Sequence, residues 1–91
     1  MEIKATANPT IYSATIQNGY GDLVWFDSGT DVLSLVDKTY RIICDQARIE
    51  KTEEGKNEFY RSMMDSIERY CHLNPNLVVK VGDCGARLFA R

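Results

Sequence analysis

The chain has 91 residues and a formal charge of −2, with 44% hydrophobic and 26% charged residues. That length predicts one domain, residues 1–91, around one modest core, and the composition excludes a disordered or low-complexity chain. The charge lacks the basic excess of a non-specific nucleic-acid binder, and no run approaches the ~18 apolar residues of a membrane span. Glu2 and Lys4 stand where a signal peptide would carry a basic flank and a long apolar run, so a cytoplasmic chain is expected. Cys44, Cys71 and Cys84 show no framework spacing, which fits reduced thiols packed in a core.

In chain order, residues 1–7 have the makings of a short edge strand, interrupted at Asn8-Pro9 because proline lacks an N–H and biases its predecessor away from helix. Tyr12, Ala14 and Ile16 alternate with Ser13, Thr15 and Gln17, the period of two that a half-buried strand requires. Asn18-Gly19 then signals a hairpin through residues that tolerate positive φ, and residues 23–26 return as the second strand.

The rhythm then becomes helical. Ser28, Thr30 and Asp31 are candidate N-caps. Val32, Val36, Tyr40, Ile43 and Ala47 recur at three and four residues, with Leu33, Leu35 and Ile42 widening the stripe, so this helix is predicted to be the more buried one. It is expected to end near Ile49 or Glu50, with the polar run 51–57 around Gly55 read as a connection. Phe59, Tyr60, Met63, Met64, Ile67, Tyr70 and Cys71 mark one face of a second helix, stopped by Asn74-Pro75-Asn76. Residues 77–81 and 86–90 close the chain as a hairpin about a Gly82-Asp83-Cys84-Gly85 turn. The expected fold is therefore α+β: a small antiparallel sheet in ββααββ order, with room for an N-terminal edge strand, and two helices on one face.

Trp25 and Phe26 are adjacent in a strand, so they point to opposite faces. With the helices on one face, one ring belongs on the other, beside Tyr20, Val78 or Phe89, unless the N-terminal segment folds over it. Exposed aromatic clusters of this kind mark partner surfaces. The candidate partner-binding residues are Tyr20, Trp25, Phe26, Lys80, Arg87 and Phe89. Lys80, Arg87 and Arg91 also make a small basic group in the closing hairpin, which reads first as a solvated face or edge protection and second as a phosphate track.

Three near-motifs bear on chemistry. Phe26-Asp27-Ser28-Gly29-Thr30 resembles the active-site loop of aspartic proteases, whose retroviral-type members are homodimers of similar length. The resemblance implies an Asp27 sharing a proton with its symmetry mate. It ends at Thr30, apart from a distant echo in residues 78–83, because that family is almost wholly β where this chain is helical; a strand-to-helix turn accounts for the same residues. Cys71, His72 and Cys84 offer too few ligands for structural zinc, with Asp83 or Cys44 needed to complete a set. Cys71 and His72 are neighbours about 100° apart on a helix and cannot form a dyad. Cys84, read in a Gly-flanked turn, is the more reactive-looking thiol, with no third orienting group. No catalytic residue, metal or cofactor is expected.

By elimination, the leading expectation is a small interaction protein that docks on another protein as an inhibitor, adaptor or subunit. In size, acidity and lack of a catalytic constellation it is similar in type to accessory proteins of phages and mobile elements, including inhibitors of bacterial defence systems. The alternatives are a small enzyme or ligand-binding homodimer with its site at the subunit interface, and a nucleic-acid binder using the C-terminal hairpin.

Overall fold

Strands β1 (Tyr12–Gln17) and β2 (Leu23–Gly29) lead into helices α1 (Val32–Ala47) and α2 (Glu53–His72), and β3 (Val79–Val81) and β4 (Cys84–Ala90) follow. This computed structural model describes residues 10–72 and 78–90, the side chains of residues 68–72 excepted. The possible contributions of residues 1–7, including a cover for the open face, and the Asn74-Pro75-Asn76 helix stop lie outside the described residues. The sheet is antiparallel in the order β2-β1-β4-β3, so β1 and β4 join the two hairpins at its centre. The class is α+β, with both helices on one face.

Alternation produces that arrangement directly. Ala14 and Ile16 on β1, and Cys84, Ala86 and Leu88 on β4, are buried under the helices. From α1 they meet Leu35, Val36, Tyr40, Ile43 and Cys44; from α2 they meet Phe59, Met63 and Ile67. Two buried hydroxyls return their protons to their own helices, Thr39 Oγ1 to the Leu35 carbonyl at 2.7 Å and Ser66 Oγ to the Met63 carbonyl at 2.7 Å. No buried donor is thereby left open in the core layer at these positions. Leu33 departs from the predicted stripe: it is 62% exposed and lines a depression between the helices with Tyr60 and Asn57.

Several boundaries move for identifiable reasons. The first turn is not built on positive φ at Asn18-Gly19. Asn18 Oδ1 instead accepts from the Tyr20 and Asp22 amides at 2.9 and 3.0 Å, and the positive φ falls on Gly21. Strand β2 runs on to Gly29 rather than stopping at Phe26, held by pairs such as Ala14 with Asp27 and Tyr12 with Gly29. Asp31 is the N-cap of α1, its carboxylate accepting from the Ser34 amide.

Helix α1 stops at Ala47, earlier than expected. Arg48 takes a left-handed conformation, φ 59°, and the Ile49 amide reaches back to the Cys44 carbonyl at 2.9 Å, as in a Schellman termination. The largest shift is at α2, which begins at Glu53 and contains Gly55 in its first turn. Thr52 caps it, with Oγ1 accepting from the Gly55 amide at 2.9 Å. The Tyr40 hydroxyl locks the cap from the side, accepting from the Thr52 amide and donating to its carbonyl. The Tyr40 ring continues onto Phe59, centroids 5.5 Å apart.

Candidate interaction surface

Because Ala14 and Ile16 point into the helices, Ser13, Thr15 and Gln17 point the other way. Cross-strand neighbours share a face, so register extends this second face across the sheet. Thr15 lies between Phe26 and Arg87, Ser13 between Ser28 and Phe89, and Gln17 between Leu23 and Gly85; Lys80 is the next partner of Gly85. Ile16 pairs with Trp25 while Gln17 pairs with Leu23, which leaves Val24 as an extra residue in β2. This bulge puts Leu23 and Val24 on the same side as Phe26. All three are open to solvent, at 61%, 36% and 59%.

The predicted partner residues are thus divided. Phe26, Lys80, Arg87 and Phe89 share the open face. Phe26 and Lys80 are exposed; Arg87 and Phe89 are half-buried. Tyr20 stands at the tip of the β1–β2 hairpin, 92% exposed. Trp25 falls on the helix side, half-buried against the core, because pleating turns it away from Phe26. Sequence reasoning missed Leu23 and Val24, which only the bulge aligns with Phe26.

Arg87 supplies the polar character of this face. Its Nε is buried and has no hydrogen-bond partner among the described residues. Among the described strand residues, the charged ones that register and alternation bring to this face are Arg87 and Lys80, with no carboxylate between them. A guanidinium donor held out of water without an acceptor is costly. An incoming oxygen anion would satisfy it.

Two of the chemistry-bearing near-motifs, around Asp27 and around Cys84, can be followed among the described residues. Asp27 sits on β2, not on a turn; its Oδ2 accepts from Lys38 Nζ at 2.8 Å and its Oδ1 from the Ser28 amide at 2.8 Å. The Lys38 hydrogen bond, then the Ser28 amide, hold its carboxyl below the usual range. A carboxylate kept ionised by a lysine is unlike one that shares a proton with a second aspartate.

Linkage sets the sign of the pH effect: a depressed folded value stabilises above the ordinary Asp range and loses that contribution as pH falls through the folded value. Asp27→Asn should therefore flatten the acid limb of stability against pH, measured by thermal melts from neutral pH downward. Pepstatin-sensitive peptide hydrolysis that disappears in Asp27→Asn would overturn the structural assignment.

Cys84 corrects the sequence reading more sharply. It opens β4 and is 2% exposed beneath the helices, rather than displayed on a turn. Burial, then the hydrogen bond with Asp83, push its thiol upward, opposite to what a nucleophile needs. The side chains of Cys71 and His72 lie outside the described residues. Among the described residues no group of three or more His, Cys, Asp and Glu side chains could hold a metal ion, and no helix is long and apolar enough to cross a membrane. No family model, no curated protein and no solved structure matches the chain.

Proposed function

We propose that the chain is a protein-interaction module, an inhibitor or adaptor that docks through the open face of its sheet onto an acidic, partly apolar surface of another protein. The observation that carries this reading is Arg87, whose buried Nε lacks an acceptor among the described residues, on a face that also carries Lys80 and the exposed ring of Phe26. Arginine beside an aromatic is the usual composition of an interface hot spot. A second copy packed face to face would oppose Arg87 and Lys80 to their own likenesses, so charge favours a different, acidic partner.

Phe26 and Phe89 with Arg87 and Lys80 also make a stacking platform with cations, which supports single-stranded nucleic acid as a second reading. The test begins with affinity capture from the native host and proceeds to measured binding of the purified partner. Arg87→Ala and Phe26→Ala should each weaken it by about tenfold or more, with a shallow salt dependence. Unchanged affinity in both variants would refute the docking face. A steep linear fall of log K with log salt, together with oligonucleotide binding, would transfer the face to the nucleic-acid reading.

A further inference from the structure

The two edges of the sheet differ. β3 is three residues long and carries Lys80 at its centre, the short, charged form that resists pairing. β2 is seven residues long, contains no Lys, Arg or Pro, and no described strand pairs with its outer side. Its bulge at Val24 interrupts one end, which leaves 25–29 as the regular stretch. An edge ladder with no described strand beside it is open to pairing with another extended strand.

Stretch 25–29 is complementary to itself in one antiparallel register. With a two-fold axis at Asp27, Trp25 faces Gly29 of the second copy and Phe26 faces its Ser28. Each large ring meets a small residue, and an aromatic over an edge glycine is a favourable cross-strand pair. The two Asp27 carboxylates then meet at the axis, which would oppose the pairing if they stood alone. Each already binds Lys38 Nζ at 2.8 Å, and both members of that ion pair are part-exposed, 46% for Lys38 and 36% for Asp27. The axis would therefore gather two carboxylates and two ammonium groups in alternation. The helices leave room: α1 packs chiefly over β1 rather than β2, and β1 of one copy would lie about 14 Å from β1 of the other, three strand spacings away.

We propose that two copies of this chain associate through the outer edge of β2, antiparallel about Asp27, with two Asp27–Lys38 pairs interleaved at the axis. The dimer has one continuous open face carrying two Phe26–Arg87 patches. Its affinity for an acidic partner is separate from its assembly, because Arg87 lies two strands from the edge.

Sedimentation equilibrium up to about 100 μM should show a reversible dimer, in the range of weak interfaces. Lys38→Glu should raise its dissociation constant by about tenfold or more by placing four carboxylates at the axis. The swap Asp27→Lys/Lys38→Glu should restore dimerisation, which a folding defect would not. In a Cys71→Ser background, Asp27→Cys should oxidise to a covalent dimer and Thr15→Cys should not. A wild-type chain that stays monomeric throughout this range, or a dimer indifferent to Lys38→Glu, overturns the proposal. Arg87→Ala should leave dimerisation intact, so failure of the dimer and failure of the docking face are read separately.

Discussion

Trp25→Ala is expected to destabilise the fold by about 2 kcal/mol, while Phe26→Ala, one residue away, leaves stability nearly unchanged. Trp25 is half-buried against the core on the helix side, and its removal takes apolar area from that core. Phe26 is 59% exposed on the other face, where truncation opens no cavity within the subunit. Urea unfolding of the two variants, with slopes compared as well as midpoints, measures the contrast. Equal destabilisation would mean that both rings belong to one core and that the open face is not a free surface. The combination of a stable Phe26→Ala fold with weakened partner binding is what an interface residue shows and a core residue does not.

Gly55→Ala is expected to destabilise by about 1–3 kcal/mol, although alanine in a helix is ordinarily favoured by about 1 kcal/mol. The sign reverses because a Cβ at this position would stand 2.5 Å from the Tyr40 hydroxyl and 2.9 Å from Thr52 Oγ1. Both atoms are engaged: the hydroxyl holds the Thr52 backbone, and Oγ1 caps the Gly55 amide. The Tyr40 ring cannot swing away without leaving Phe59. Tyr40→Phe removes the clashing oxygen, so Tyr40→Phe/Gly55→Ala should be less destabilised than the sum of the two single variants. A double-mutant cycle by thermal or urea unfolding tests this coupling. Simple additivity, or a Gly55→Ala chain more stable than the parent, would show that the Tyr40 contact does not decide the residue.

Gly55 also shows why the α2 boundary was hidden. In the linear chain a glycine within a polar run reads as a break, because its intrinsic helix preference is poor. In the folded chain the same residue is required by a side chain fifteen positions earlier, and the first turn of α2 forms around it. Cys84 is similar. Its glycine neighbours suggest an exposed turn, but the pairing of Val81 with Cys84 begins the ladder there and faces the thiol into the core.

The sequence by itself determined the α+β class, the order of elements and, Leu33 apart, the buried faces of β1, α1 and α2. Periods of two in residues 12–17 and of three to four in α1 and α2 are local properties, and burying an apolar face leaves few ways to satisfy them. It also required Trp25 and Phe26 to diverge, since pleating has no alternative. Only the tertiary structure decided which ring went where, because that depends on β1 register. The β2 bulge that aligns Leu23 and Val24 with Phe26 likewise depends on β1 register. Asp27 held by Lys38 and Gly55 beneath Tyr40 are juxtapositions between distant elements, and Arg87 Nε has no acceptor among the described residues. Spacing along a chain carries no information about such neighbours until the sheet and helices have packed.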